Sequence, residues 1–289
     1  MVEGQEGVSW EEWVALARAC EEEGLDGLFR SDHYLPIFGD GFSLDAWATL
    51  SALAAVTERI RLGTLVSPVT FHRAAVLANM VATADRISGG RIELGLGAGW
   101  NVREHETFGF DFPELRERMD LLEEQLADIT RRWAELPPAP VQQPRPPIVM
   151  GGAANPRAAR LAARWADEYN MPFASVEDCR AGRERIAAAC AAAGREPILF
   201  SLMTACCVGR DRAEVVERSA NRLRRMGSDA DPAESLEADD KLVGTVEDVA
   251  ARLAEYAAVG VERVYLQHLD HSDVEMVRLI GRELVPAVA

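Results

Sequence analysis

The chain has 289 residues, 48% of them hydrophobic, and a formal net charge of −16 at pH 7. This length and hydrophobic content suit one large α/β barrel, although two small domains would also fit. The negative charge makes nucleic acid and acidic membrane surfaces poor partners, and we expect the chain to bind neither.

The cysteines indicate a reducing compartment. Cys20, Cys179, Cys190, Cys206 and Cys207 are odd in number and scattered, and none of them forms a C-x-x-C pair. They predict neither a disulfide framework nor a zinc site. The sequence shows no recognisable signal peptide and no apolar run long enough to cross a bilayer, so we expect a cytoplasmic protein.

Helical and strand patterns alternate in the first half of the chain. Ser9 and Glu12 form a capping box, which predicts a helix that ends near Gly24. A short buried strand over 26–31 follows and ends in polar residues. The other elements predicted in this half are helices over 44–57, 73–87 and 113–133, strands over 60–66 and 92–97, and a charged loop over 101–112.

The alternation continues after a connection over 136–147 that contains six prolines. Ser175, Asp211 and Thr245 are each followed three residues later by an acidic residue and are predicted to cap three helices. Ser272 is predicted to cap the last helix in the same way. The elements predicted in this half are strands over 148–150, 167–171, 198–208 and 264–269, helices over 156–165, 175–194, 211–227 and 245–260, and an exposed acidic loop over 228–240.

The alternation of strands and helices predicts a (β/α)8 barrel. Seven strand–helix units are readable, and their order implies parallel strands with helical crossovers. A barrel that lacked a strand would expose an open edge. The first strand therefore lies partly in 1–4, or the natural chain starts upstream of this numbering. We expect one barrel domain over 1–289.

A glycine-rich segment in the first half is the most informative part of the sequence. Gly89 and Gly90 end the preceding helix, because glycine enters the left-handed conformation at low cost. Gly95, Gly97 and Gly99 leave the following backbone without side chains. Either a flat cofactor ring or another element of the protein could therefore lie close to it, and both interpretations stay open.

Polar residues that follow barrel strands are the candidates for chemistry, because the functional loops of a barrel lie there. His33 could transfer a proton, bond to a cofactor ring or simply hold its loop, and His268 has the same alternatives. Glu104 could line a pocket or be solvated. The histidines lie in separate units, so no metal site is predicted. The full set of candidates is Glu3, Asp32, His33, 64–68, 97–104, 151–155, Asn170, Gln267 and His268.

Two glycines before a helix predict an anion site. The N–H groups of residues 152–155 would point at an anion, which the helix dipole favours. Arg157 lies one turn into that helix. The alternative is an ordinary turn between strand and helix.

A series of motifs resembles the bacterial luciferase-like monooxygenase superfamily, and within it the F420-dependent oxidoreductases of actinobacterial type. The resemblance spans almost the whole chain. The motifs, in order, are RSDH (30–33), RIRLGT (59–64), DRISGGR (85–91), GLGAGW (95–100), Glu104 with FG (108–109), PIVMGG (147–152), ADEYN (166–170) and LVGT (242–245).

The resemblance implies a luciferase-like (β/α)8 TIM barrel that binds coenzyme F420, an 8-hydroxy-5-deazaflavin, or alternatively FMN. It implies hydride transfer between F420 and a small-molecule substrate, in either direction, and members of the superfamily often form homodimers. The first alternative is an FMN-dependent monooxygenase on the same barrel. The second alternative is a barrel that binds flavin, or nothing, without turnover.

The resemblance also assigns roles to residues. Asp32 and His33 match the polar pair that ends strand two and are predicted to be catalytic. Leu65 and Val66 match a non-prolyl cis peptide behind the cofactor ring. Separately from the resemblance, His268 is assigned to the substrate pocket from its position at the end of the last strand. The predicted cofactor-binding residues are Thr64, Leu65, Val66, Gly97, Gly99, Trp100, Glu104, Gly151, Gly152, Ala153 and Asn170.

Two departures from the family pattern leave the substrate open. Some deazaflavin sugar dehydrogenases have a glutamate where Trp100 stands, so that acid is not carried over. Relatives also have a longer connecting segment between the positions that correspond to residues 133 and 144, which is short in this chain.

Overall fold

A computed structural model describes residues 1–38, 41–232 and 242–288, and four of its helices begin at capping residues that the sequence predicts. The Ser9 hydroxyl accepts a hydrogen bond from the Glu12 N–H, and the Glu12 carboxylate accepts one from the Ser9 N–H, which confirms the capping box. Ser175, Asp211 and Thr245 also accept the N–H three residues on. These caps satisfy N–H groups that a helix leaves unpaired at its start.

The elements alternate as the sequence predicts. The helices are α1 (Trp10–Glu22), α2 (Ala46–Val56), α3 (Ala74–Ser88), α4 (Val102–Phe108), α5 (Leu115–Glu135), α6 (Pro156–Trp165), α7 (Val176–Ala192), α8 (Arg212–Arg225), α9 (Val246–Ala258), α10 (Val274–Leu279) and α11 (Val285–Val288), with a π-helical turn (Ile280–Leu284) between the last two. The strands are β1 (Gly27–Arg30), β2 (Arg61–Thr64), β3 (Ser67–Pro68), β4 (Ile92–Gly97), β5 (Ile148–Gly151), β6 (Glu168–Pro172), β7 (Leu199–Gly209), β8 (Leu242–Thr245) and β9 (Arg263–Gln267).

All the strand pairs are parallel, as helical crossovers require. The pairing runs from β1 through β2, β4, β5 and β6 to β7, and β3 continues the edge of β2 against β4. The long strand β7 pairs with β9 over Ser201–Ala205 and with β8 beyond that point. This arrangement confirms the predicted α/β barrel.

Residues 1–3 close the barrel between β1 and β9. Val2 forms parallel bridges with Arg30 and with His268, one on each side. The Met1 ammonium donates to the Leu266 carbonyl at 2.9 Å, and the His268 N–H donates to the Met1 carbonyl at 2.9 Å. Val2 therefore lies at the place in the barrel where the first of the two alternatives puts strand one.

Three local predictions differ from the structure. The predicted loop over 101–112 is wrong where the structure has helix α4. The Asn101 side chain caps the start of this helix, and Gly109 ends it with a φ of 68°. Strand β8 was not predicted as a strand. The last helix is capped by Asp273 and not by Ser272, whose hydroxyl donates to Asp270 instead. Of the predicted loop 228–240, residues 233–240 lie outside the described residues.

Two sets of residues fill the barrel interior. Phe29, Leu65, Val149, Met203 and Tyr265 come from different strands or strand ends and form one apolar cluster. Below them, a charged group lies at the beginnings of the strands: the Arg263 guanidinium contacts carboxylate oxygens of Glu168 at 2.7 Å and of Glu93 at 3.0 Å. This end of the barrel is therefore filled, and the cavity described below lies at the opposite end, where the strands finish.

Among the described residues, no helix combines the length and apolarity that a membrane crossing would need. The same residues contain no group of His, Cys, Asp and Glu placed to hold a metal ion.

Candidate active site

A cavity of about 540 Å³ lies where β1, β2, β4, β5 and β6 end. Most of the residues predicted for the site line it: His33, Leu65, Val66, Gly97, Gly99, Trp100, Gly151, Gly152, Ala153 and Asn170. Asp32, Thr64, Glu104 and His268 do not line the cavity. The barrel thus brings together residues that lie more than a hundred positions apart in the sequence.

His33 is paired with a buried carboxylate. Its Nδ1 atom lies 2.7 Å from Oε2 of Glu104, whose side chain is fully buried. The other carboxylate oxygen of Glu104 accepts hydrogen bonds from the backbone N–H groups of Tyr34 and Leu35. Glu104, predicted to bind cofactor, therefore lies behind His33 and is fixed by the backbone next to it.

The pair determines which nitrogen of His33 is available for chemistry. Burial by itself lowers the pKa of His33, but the hydrogen bond and negative charge of Glu104 outweigh burial and raise it above its usual value. Beside a carboxylate, Nδ1 carries the proton of the neutral ring. Nε2 is then left without a proton and has no partner among the described residues, so it can accept a proton in the cavity.

Trp100 lies against the other side of this histidine. The two rings meet edge to face with their centroids 5.5 Å apart, and Trp100 is 60% exposed at the cavity mouth. Such contacts fix ring orientation. His33 is therefore held on one edge by Glu104 and on its flank by Trp100.

Asp32 and Thr64 support the cavity wall from behind. Asp32 is buried and accepts a hydrogen bond from the Ser67 hydroxyl at 2.6 Å, and His72 Nε2 lies 3.4 Å from the same oxygen. Burial raises the pKa of Asp32, but these contacts outweigh burial and lower it overall. The Thr64 hydroxyl donates to the Gly95 carbonyl at 3.0 Å. Neither side chain reaches the cavity.

The glycines of β4 accommodate the backbone that follows β2. The Leu65–Val66 peptide is cis, which confirms the expectation from the resemblance. A Cβ atom on Gly95 would collide with the Thr64 carbonyl, and one on Gly97 would lie 2.7 Å from a Val66 methyl group. The packing interpretation therefore accounts for Gly95, whereas Gly97 packs against Val66 and also lines the cavity.

The predicted anion loop offers fewer free N–H groups than expected. The Gly152 N–H donates to the Asn170 carbonyl, and the Ala154 N–H donates to the Tyr169 hydroxyl, both at 3.0 Å. The Ala153 and Asn155 N–H groups have no partner among the described residues. Arg157 pairs with Asp120 and not with this loop. A phosphate group could therefore use two of the four predicted N–H groups.

Sequence reasoning missed one wall of the cavity. Leu115, Met119 and Leu122 of α5 line it, together with Phe173 after β6. The spacing of the three α5 residues is that of one helical face, so the signal was present in the sequence. Nothing in the spacing shows, however, whether such a face covers the barrel or borders its mouth.

His268, assigned to the substrate pocket, lies in a separate buried pair of histidines. Its Nε2 lies 3.0 Å from the Asp273 carbonyl oxygen, and no hydrogen-bond partner is present for its Nδ1 or for either ring nitrogen of His271 among the described residues. Burial lowers the pKa of His268 to about 3 and that of His271 to about 4. Both rings are therefore neutral in the folded protein at neutral pH.

We expect these two histidines to make the fold sensitive to acid. In the unfolded chain they titrate near pH 6.5, so below that pH the unfolded chain takes up protons that the folded chain excludes. The free energy of unfolding then falls until the pH reaches the folded pKa values. Replacing His271 by glutamine, which does not titrate, should reduce the loss between pH 7 and 5 by about 2 kcal/mol.

Calorimetric melting of wild type and His271→Gln at pH 7, 6 and 5 measures this difference. The raised pKa of His33 has the opposite effect, because its contribution to the free energy of unfolding is lost as the pH rises. This contribution is the same in both proteins and cancels in the comparison. Parallel melting profiles for the two proteins would show that His271 does not contribute.

Comparison with known proteins gives one family and several related structures. The family model described as luciferase-like monooxygenase matches residues 2–263. An F420-dependent glucose-6-phosphate dehydrogenase from Microbacterium testaceum is 36% identical over 166 residues, which cover 52% of this chain and 49% of that protein. The chain spans about half the length or less of the first curated relatives that it matches.

Two solved structures share the fold along their full length. The monooxygenase RslO1 from Streptomyces bottropensis superposes with a TM-score of 0.83 and 25% identity over 97% of this chain and 94% of that chain. The coenzyme F420-dependent tetrahydromethanopterin reductase from Methanopyrus kandleri superposes with a TM-score of 0.80 and 18% identity over 100% and 98% of the two chains.

Proposed function

The chain belongs to the luciferase-like monooxygenase family, and on that basis we propose that it is an oxidoreductase that transfers a hydride between coenzyme F420 and a small organic substrate. A curated relative is named as an F420-dependent dehydrogenase. The observation that carries the proposal is the His33–Glu104 pair, with His33 on the cavity wall. Interconversion of an alcohol and a carbonyl needs a group that accepts and returns the hydroxyl proton.

The cavity has features that suit a flat cofactor with an anionic arm. Its wall at Gly97 and Gly99 carries no side chains, and the free N–H groups of Ala153 and Asn155 lie at the start of a helix, which favours an anion. When bound, the deazaflavin supplies a hydride acceptor or donor. The residues that would hold it are Leu65, Val66, Gly97, Gly99, Trp100, Gly151, Gly152, Ala153 and Asn170.

His33 would handle the proton. Its Nε2 accepts the hydroxyl proton when an alcohol is oxidised and returns it when a carbonyl is reduced. Glu104 stabilises the imidazolium that forms and holds the ring in the tautomer that leaves Nε2 free. Asp32 and Thr64 act as positioning residues, because Asp32 binds Ser67 and Thr64 binds Gly95, and Thr64 and Ser67 flank the Leu65–Val66 peptide in the chain.

We expect the protein to bind F420 more tightly than FMN. The motive is the resemblance of the segments around Gly97 and Gly151 to F420-dependent oxidoreductases. Parallel fluorescence titrations of the two cofactors into purified protein measure both affinities. Tight FMN binding without F420 affinity would favour the FMN-dependent monooxygenase. One solved structure of this fold is named as a monooxygenase. Binding of neither would favour a non-catalytic barrel.

We also propose a cytoplasmic homodimer. The resemblance to a superfamily whose members often pair supports the dimer, and the buried free cysteines suit a reducing compartment. Val76 and Ile87 of α3 are about half exposed and would suit an interface between copies. Light scattering coupled to size-exclusion chromatography should give twice the monomer mass of 31.6 kDa, and a monomer mass would contradict the dimer.

A further inference from the structure

The side chains that border the cavity carry little charge. Among the described residues, one carboxylate side chain, Glu3, and one imidazole, His33, line it, and no arginine or lysine does. The nearby Arg157 is tied to Asp120, and the Arg103 guanidinium donates to the Pro36 carbonyl at 3.3 Å. A negatively charged substrate would therefore meet no arginine or lysine side chain in the cavity.

The polar side chains of the wall are largely committed to other protein groups. The Ser31 hydroxyl donates to the Gln5 side chain at 2.5 Å, and the Gln267 amide donates to Glu3 at 2.6 Å. The Asn170 amide donates to the Ser201 hydroxyl at 2.9 Å. These bonds leave His33 Nε2 as the group placed to meet a substrate oxygen and transfer its proton.

The remaining wall is apolar. Leu115 and Met119 of α5, Ile37 and Phe38 after β1, and Phe173 after β6 contribute aliphatic and aromatic surface. Leu115 is 54% exposed and Phe173 is 49% exposed, so a ligand that covered them would remove apolar surface from water. A phosphate or carboxylate in the same place would lose its hydration without gaining a counterion.

From this wall we propose that the substrate is an uncharged alcohol with apolar substituents, or the corresponding carbonyl compound, and not a sugar phosphate or a hydroxy acid. The proposal rests on the proposed function. Oxidation of such an alcohol breaks the carbinol C–H and the O–H bonds and forms a C=O bond. The oxidised deazaflavin, held at Gly97 and Gly99, would supply the hydride acceptor, and His33 Nε2 would take the proton.

Binding to the cofactor-free protein tests the substrate class separately from the activity. We expect 2-octanol to bind more tightly than 2-butanol in calorimetric titrations and to raise the melting temperature, while glucose-6-phosphate at the same concentration does neither. With oxidised F420, kcat/KM should rise at least tenfold from 2-butanol to 2-octanol. Tighter binding or faster turnover of glucose-6-phosphate would overturn the proposal.

Leu115→Arg gives a sharper test, because it places a cation on the apolar wall at an exposed position that tolerates it. The variant should lose at least tenfold in affinity for 2-octanol while keeping its affinity for F420. Leu136→Arg is the matched control, since Leu136 is an exposed leucine at the far end of α5 and does not line the cavity.

The two proposals fail in different ways. If F420 does not bind but 2-octanol binds and Leu115→Arg abolishes that binding, the proposed function fails and the apolar pocket stands. If F420 binds but Leu115→Arg leaves the affinity for 2-octanol unchanged, the substrate class is wrong and the cofactor proposal stands.

Discussion

His33→Ala should lower turnover by roughly 100-fold or more, while the protein still folds and binds F420. The side chain lines the cavity, and its Nε2 is the proposed proton acceptor, on the ring edge opposite the Glu104 carboxylate. Leu28 and Phe29 supply the buried apolar side chains of the preceding strand, so the imidazole is not needed to fill the core. Single-turnover hydride transfer, followed by the absorbance of F420, measures the loss.

His33→Asn separates the possible roles of this histidine. Asparagine keeps a hydrogen bond to Glu104 or to a substrate oxygen, but it cannot carry a proton at neutral pH. It should therefore be nearly as slow as His33→Ala if the role is proton transfer. If the histidine only anchors its loop, both variants should melt at lower temperature and retain turnover per folded molecule.

A control for the loss of a buried imidazole is available elsewhere in the chain. His271→Ala removes a histidine that does not line the cavity, so we expect normal turnover per folded molecule. Normal hydride transfer by a well-folded His33→Ala protein would remove His33 from the catalytic residues.

Glu104→Gln should be at least as damaging, with a loss on the order of 10³-fold or more. The amide oxygen can still accept the Tyr34 and Leu35 N–H groups, so the loop keeps its anchor. The amide nitrogen then faces His33 Nδ1 and donates to it, which moves the ring proton to Nε2. The histidine is held in the tautomer that cannot accept a proton, the defect that costs about 10⁴-fold in the serine-protease triad.

The loss of the negative charge should also lower the pKa of His33, since the hydrogen bond and charge of Glu104 raise it in the wild type. NMR titration of the ring and the pH profile of single-turnover rates measure both effects. Glu106→Gln, an exposed position on the same short helix, is the matched control and should leave both unchanged. An unaltered pKa and rate in Glu104→Gln would show that the pair has no catalytic role.

The fold was predictable because the signals that define it are local. Capping residues such as Ser9 and Thr245 interact with N–H groups three positions away, and alternating apolar residues show the strands directly. The motif resemblance added the cis peptide at Leu65–Val66, which no periodicity reveals.

The parts that could not be predicted depend on contacts between distant residues. Helix α4 has seven residues and little apolar periodicity, and it is held by aromatic packing such as that of His105, with ring centroids 4.3 Å from Phe112 and 5.1 Å from Phe71. Asp32 is buried behind the cavity wall whereas the next residue, His33, lines the cavity, because their side chains point in different directions. Adjacent positions after a strand point to opposite sides.

The closure of the barrel by Val2 has a consequence for synthesis of the protein on the ribosome. Residue 1 bonds to residue 266, which is 265 positions further along the chain, so the two ends of the barrel meet only when nearly the whole chain has been made. Until β9 emerges, the nascent chain carries a growing sheet whose two edges have no partner, and contacts this far apart in sequence form late. Between the synthesis of the first and the last strand, therefore, both edges of the sheet are open to pairing with other chains.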